Sequence, residues 1–244
     1  MKSKLFSGVK FEEVAIGGSS IRFPIRYIDQ SRISATFTAS TEKVREKLPT
    51  GKLKPVEVKP GTTTLTVMAM QYRRIDGLAP YNEMGTFAPV VYEAGDEAPG
   101  KQGIYCFHMP VTTERARYGG VAGYGFPKFI ADIVFSDLGD ALSCMLWADG
   151  KDILTLSVKK IETKEVTRDS YIFTRKGKQL VYTLSQQTSL IGTSREAGGA
   201  SLKLGDHRVA KDVRDMEIGQ TPFEYSYMPK MQSLLHKPGE RLPL

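Results

Sequence analysis

Ala141-Leu142-Ser143-Cys144-Met145-Leu146-Trp147-Ala148-Asp149-Gly150-Lys151-Asp152-Ile153-Leu154-Thr155-Leu156-Ser157-Val158 consists of two apolar runs with an Asp-Gly pair between them. Asp-Gly suits a tight turn with positive φ at its centre, and between apolar runs it is a strong hairpin signal. Ala141–Trp147 and Ile153–Val158 are therefore expected as paired strands. Tyr171–Thr174 and Leu180–Leu184 repeat the arrangement around Lys176-Gly177. Working outward, Thr62–Tyr72, Ile104–Val111 and Phe129–Phe135 are rich in β-branched and apolar residues, and Phe87–Tyr92 is a further apolar segment. Ile21, Phe23, Ile25 and Tyr27 alternate as in a half-buried strand, which Pro24 marks as edge or bulged. Ile33, Ala35 and Phe37 repeat the alternation.

Helical signals are few. Ser40 or Thr41 caps a short helix with Val44 and Leu48 on one face, stopped by Pro49. Met228–Leu235 reads as a short helix with Pro229 in its first turn. Ser201–Met216 reads as a strand and a turn around Gly205-Asp206-His207. Gly17-Gly18-Ser19-Ser20 closes a lead-in, and 93–103 is a polar loop. The pattern predicts one mainly β (α+β) domain over 1–244, a curved sheet or β-barrel with a few short helices.

The chain has 244 residues, 41% hydrophobic and 25% charged, ordinary for a globular protein. It contains no apolar run of membrane-spanning length and no secretory h-region; cytoplasmic location is the expectation. Cys106 and Cys144 are too few for a disulfide framework. His108, His207 and His236 have no metal-ligand spacing, so no metal is expected. A net charge of +7 favours anions, but the basic residues are dispersed and form no nucleic-acid motif. No Gly-x-Ser-x-Gly elbow or dinucleotide fingerprint is present.

Chemistry concentrates at Gly119-Gly120-Val121-Ala122-Gly123-Tyr124-Gly125-Phe126-Pro127-Lys128-Phe129-Ile130-Ala131. Four glycines within seven residues permit close backbone approach. Pro127 stiffens the turn before Lys128. Burial among apolar groups disfavours a charged amine, and a neutral lysine amine attacks carbonyl carbon to give a Schiff base. The plain alternative is a surface lysine opening a strand. A phosphate-cradling loop is a third option that fits poorly, because Phe126 and Pro127 separate Gly125 from the lysine. Glu83 stands in a tract poor in charge, either as an acid or base of raised pKa or as a solvated turn carboxylate. Arg115 and Arg117 can clamp a carboxylate or form a solvated strand face.

Together these stretches resemble the acetoacetate decarboxylase family. Val67-Met68-Ala69-Met70 followed by Tyr81-Asn82-Glu83-Met84-Gly85 is similar to the family's strand and Tyr-x-Glu turn. Gly125-Phe126-Pro127-Lys128 resembles its aromatic-Pro-Lys signature, and Leu204-Gly205-Asp206-His207 a late element. The resemblance implies Lys128 as Schiff-base nucleophile and Glu83 as the acid/base or orienting group. It implies a small keto-acid substrate, no cofactor and a homo-oligomer. Arg32, Arg115, Arg117, Met109, Phe126 and Phe129 are the candidate substrate contacts. The chain departs from the family at Phe129, where a second lysine is usual. Val121 and Ala122 occupy the positions of an Arg-Glu pair, and Thr66 that of a glutamate. Family lysines are activated by desolvation or by a neighbouring cation; with Phe129 here, desolvation remains. The implied reactions are decarboxylation of a β-keto acid, or aldol condensation and dehydration through the same iminium. The third reading is non-covalent binding of a small ligand.

Overall fold

The computed structural model describes residues 4–16, 19–93, 95 and 100–244. Gly17, Gly18 and, in the expected polar loop at 93–103, residues 94 and 96–99 lie outside them. Strands β1 (Glu12–Ile16) and β2 (Ser19–Phe23) form a hairpin of their own. β3 (Ile25–Ser40) leads into helix α1 (Thr41–Lys47), then β4 (Leu53–Pro55), β5 (Thr62–Ile75), β6 (Tyr81–Tyr92) and β7 (Lys101–His108). Helix α2 (Glu114–Gly119) runs into a π-helical turn, Gly120–Tyr124. β8 (Asp132–Asp137), β9 (Ala141–Ala148), β10 (Lys151–Lys159), β11 (Lys164–Lys176), β12 (Gln179–Ser194) and β13 (Ala200–Leu204) follow. Helix α3 (Arg208–Asp215), β14 (Pro222–Leu235) and β15 (Glu240–Pro243) complete the chain.

The large sheet runs β11-β7-β6-β5-β3-β14-β12, and β12 pairs back onto β11, so the sheet closes into a barrel. β4 and β15 add to its rim, on β6 and β12. Register shifts in β3 near Asp29 and in β14 between Met228 and Met231 mark bulges, which bend and twist long strands as closure requires. A four-stranded sheet, β13-β10-β9-β8, packs on the outside. Ile33, Ala35 and Phe37 of β3, Val67 and Ala69 of β5 and Met84 of β6 meet Cys144, Leu146, Leu154 and Leu156 there. Alternation then turns Arg32, Met68, Met70, Tyr81 and Glu83 to the inner face, and this places the site.

The mainly β class and the Asp149-Gly150 hairpin are as expected; both turn residues have positive φ, 52° and 69°. Helix α1 starts where expected, with the Ser40 hydroxyl accepting from the Lys43 N–H. Pro24, behind a cis peptide bond, divides the expected Ile21–Tyr27 strand between β2 and β3.

Two segments are corrected. Met228–Leu235 is part of strand β14, not a helix. Pro229 sits at its bulge, where a missing N–H is tolerated, and the bulge's phase shift gives Met228, Met231 and Leu234 a helix-like spacing of three. Residues 208–215, within the stretch Ser201–Met216 expected as a strand and a turn around Gly205-Asp206-His207, form helix α3, with the His207 side chain accepting from the Val209 N–H. Arg115 and Arg117 lie on helix α2 rather than on a strand.

Candidate active site

Lys128 is reached through a tightly tied segment. After the π-helical turn, Gly125 adopts the left-handed conformation (φ 72°, ψ 22°), and a Cβ there would meet Lys176 Cβ at 2.8 Å. The Lys128 N–H donates to the Phe126 carbonyl at 2.8 Å across Pro127, closing a three-residue turn. The Pro127 and Phe129 carbonyls accept from the Met109 and Val111 N–H groups at 3.2 and 2.9 Å. The lysine backbone is thus pinned on both sides. Its side chain lies along Gly120, where a Cβ would stand 2.5 Å from Lys128 Cδ and 2.6 Å from Cε. Only glycine leaves room for the lysine on this path.

Glu83 projects inward from β6 and meets Lys128 Nζ at 2.5 Å through Oε2, the two side chains being 5% and 6% exposed. Its other oxygen, Oε1, accepts from the Tyr72 hydroxyl at 3.0 Å. One oxygen is therefore fixed by a phenol while the other faces the amine. Pairing of β5 with β6 brings this about, since Tyr72 lies opposite Tyr81 and Met70 opposite Glu83. Tyr27, Tyr72 and Tyr81 form a tilted stack with centroids 4.7 Å apart at each step. Burial, and secondarily the charge of Glu83, pushes Tyr27 and Tyr72 up; burial and then Tyr27 and Glu83 do the same to Tyr81. All three are neutral phenols near neutrality, able to donate a hydrogen bond and poor as bases. Cys106, buried close by, is likewise pushed up by burial and then by Glu83, so its thiol stays protonated. Lys128 Nζ stands 5.6 Å from the ring centroids of both Tyr81 and Phe126, within cation–π range.

The amine opens into a cavity of about 700 Å³. Helix α2 supplies Arg115, Ala116 and Tyr118 to its wall, the β1–β2 hairpin Ile21 and Arg22, and β3 Ile25 and Tyr27. Arg115 and Phe126, both singled out in the sequence, line it with Lys128. The other four candidates do not, among the described residues. Arg32 faces inward but lies opposite Met70, itself opposite Glu83, so two inter-strand spacings, about 10 Å, separate its backbone from that of Glu83. Its guanidinium donates to Met228 Sδ at 2.9 and 3.2 Å; burial, then Arg168, pushes it down to about 9. Arg117 pairs with Glu114 at 2.7 Å on the exposed side of α2. Met109 is buried in the cluster behind the cavity with Phe87 and Cys106. Phe129 turns the other way, as alternation after Lys128 requires, and stacks on His207 with centroids 5.9 Å apart.

Tyr72, Gly120 and the apolar walls contributed by Pro24, Leu78 and Leu235 carry no motif of their own. Tyr72 was visible only as the end of an alternating strand. The sequence surrounds Lys128 with apolar groups; the fold adds a carboxylate in direct contact. Thr66, at the family's glutamate position, pairs with Thr36 hydroxyl to hydroxyl at 2.9 Å, so that position is satisfied without a charge. No cluster of metal-binding side chains occurs among the described residues.

Solved structures with this architecture include an acetoacetate decarboxylase from Legionella pneumophila, 18% identical, with a TM-score of 0.62 over 88% of this chain and 86% of that one. Another acetoacetate decarboxylase structure is 17% identical, with a TM-score of 0.66 over 91% of each chain. The enduracididine biosynthesis enzyme MppR, solved in complex with pyruvate, is 14% identical, with a TM-score of 0.63 over 88% of this chain and 90% of that one. No curated protein gives a significant sequence match. At these identities the structural likeness shows the fold. The sequence profile of acetoacetate decarboxylase, however, matches residues 14–237, nearly the whole chain. With that match, this chain belongs to the acetoacetate decarboxylase family.

Proposed function

We propose that the protein is a Schiff-base enzyme that decarboxylates a β-keto acid through Lys128. The observation that carries this is the buried Lys128–Glu83 contact of 2.5 Å at the floor of a cavity. A proton shift from Nζ to Oε2 along that contact frees the amine lone pair. The amine adds to the ketone carbon, and water leaves to give an iminium. The bond between the α-carbon and the carboxylate then breaks, its electron pair forming an enamine while carbon dioxide departs. A carboxylate in apolar surroundings loses its hydration, and departure as neutral carbon dioxide relieves that cost. The proton on Glu83 leaves with the water lost in iminium formation; Glu83, reprotonated from solvent, then supplies the proton taken up by the enamine carbon, and water hydrolyses the new iminium to release ketone and lysine. Tyr72 holds Glu83 in place throughout. The lysine serves as electron sink, so the reading needs no metal or organic cofactor.

A second reading keeps the iminium and breaks no bond to carboxylate, with aldol addition and dehydration instead. The uncharged Thr36–Thr66 pair where the family has a glutamate favours it, as does the cavity's room for a second reactant. The protein is also read as a homo-oligomer. Val134 and Met145, cross-strand partners on the outer face of β8 and β9, are 47% and 48% exposed, an apolar surface beside an edge strand of the kind that association covers.

Borohydride reduction in the presence of keto acids, followed by intact mass and peptide mapping, tests the iminium. A reduced adduct on Lys128, absent in Lys128→Ala, is expected. Carbon dioxide release against condensation product then separates the two reactions. Absence of an adduct with every keto acid would leave non-covalent ligand binding as the function.

A further inference from the structure

We infer that the substrate is a keto acid carrying a long apolar chain, rather than acetoacetate or pyruvate; the inference rests on the Lys128 iminium reading. Size is the first argument. The cavity of about 700 Å³ equals roughly twenty waters at ~30 Å³ each, and it falls within the ~300–1,000 Å³ of sites that hold drug-sized ligands. A four-carbon keto acid with its carbonyl at Lys128 would leave most of that space to water.

The second argument is the nature of the walls. Ile21, Pro24, Ile25, Leu78, Ala116 and Leu235 line the cavity from four separate parts of the chain. Water against such walls is displaced favourably by an apolar chain. The third argument is where charge stands. Among the described residues, the charged groups that line the cavity besides Lys128 are Arg22, Arg26, Asp76 and Arg115. Arg26 is paired with Asp76, while Arg22 and Arg115 are exposed at the rim. Apart from Ser20 and the tyrosine hydroxyls, the remaining side chains of the lining are apolar, which suits a chain and offers a small, fully hydrated acid little. The chain takes no part in bond breaking. It adds binding energy remote from the reacting carbon, which can be realised in kcat/KM.

The test uses the full chain and a series of 3-oxo acids from acetoacetate to 3-oxododecanoate. Carbon dioxide release above the uncatalysed rate and borohydride labelling of Lys128 are both measured. The expected result is a rise of about fourfold in kcat/KM or labelling efficiency per methylene over the first few, the factor expected for burying one methylene. Ala116→Phe and Leu78→Phe, which narrow the cavity at two different walls, should each flatten the series. A flat or falling series with acetoacetate still labelling Lys128 overturns the chain-length inference and leaves the iminium standing. A rise that neither narrowing variant alters would put the chain outside this cavity and overturn it too. No labelling by any acid removes the iminium reading, and this inference with it.

Discussion

At the residue scale, the position of one amine depends on the absence of one methyl group. Gly120 has ordinary helical dihedrals (φ −67°, ψ −46°), so alanine there brings no backbone strain. Its Cβ would displace Lys128 Cδ and Cε, the far part of a flexible side chain, which can move aside at little cost to the fold. Gly120→Ala is therefore expected to fold with nearly unchanged thermal stability yet lose about a hundredfold in the rate of borohydride-trappable adduct formation, the loss a ~1 Å misplacement can cause. Unchanged trapping kinetics would mean that Lys128 reaches the substrate by a path other than the one along Gly120. The glycine cluster and the Pro127-Lys128 turn were legible in the sequence. Glu83 was singled out too, by its charge-poor tract and the family resemblance, but its direct contact with the amine was not legible, because it lies 45 residues away and only the β5–β6 register and the end of the barrel bring it there.

At the element scale, helix α3 shows what local reading missed. Val209, Ala210 and Val213 bury one face of this eight-residue helix, a stripe too short to stand out among its charged residues. What anchors it is tertiary. His108 of β7 meets Asp212 at 3.3 Å and the Thr86 hydroxyl at 2.8 Å. Lys47 of α1 reaches Asp212 at 3.1 Å and Asp215 at 3.3 Å. The hydrogen bond with His108, and then that with Lys47, holds the Asp212 carboxyl well below the usual carboxylate range, against the opposing effect of burial. A carboxyl lowered on folding adds stability above its unfolded value near ~3.9 and loses it as pH falls towards the folded value. In urea titrations, wild type should exceed Asp212→Asn in stability at pH 6–7, and the gap should shrink below about pH 4. A gap that is independent of pH would show that the carboxylate charge is not what anchors the helix.

At the scale of the whole molecule, the closed barrel explains why inner and outer faces carry such different residues. The outer face of β3, β5 and β6 is covered by the four-stranded sheet and is largely apolar. The far side of that added sheet remains uncovered, with Val134 and Met145 adjacent across β8 and β9. Met145→Glu is expected to shift the protein to a smaller species in sedimentation at equal concentration, without loss of β-sheet circular dichroism. An unchanged mass would mean that this surface mediates no association. A charged substitution at a side chain that is already half exposed should leave the monomer's own core intact.

Alternating apolar runs and Asp149-Gly150 were enough to indicate a mainly β protein, and the Phe126-Pro127-Lys128 turn its family resemblance and the lysine proposed to react. These are local properties: strand period, turn chemistry and a proline-stiffened turn act within a few residues. Barrel closure, the placing of Tyr72 and Glu83 on Lys128, and the turning of Arg32 and Phe129 away from the cavity were decided by tertiary structure. Each depends on strand register and inter-sheet packing between residues far apart in the chain. A shift of one residue in any register would reverse which side chains face inward, and nothing in a single strand's own sequence records its neighbour's register.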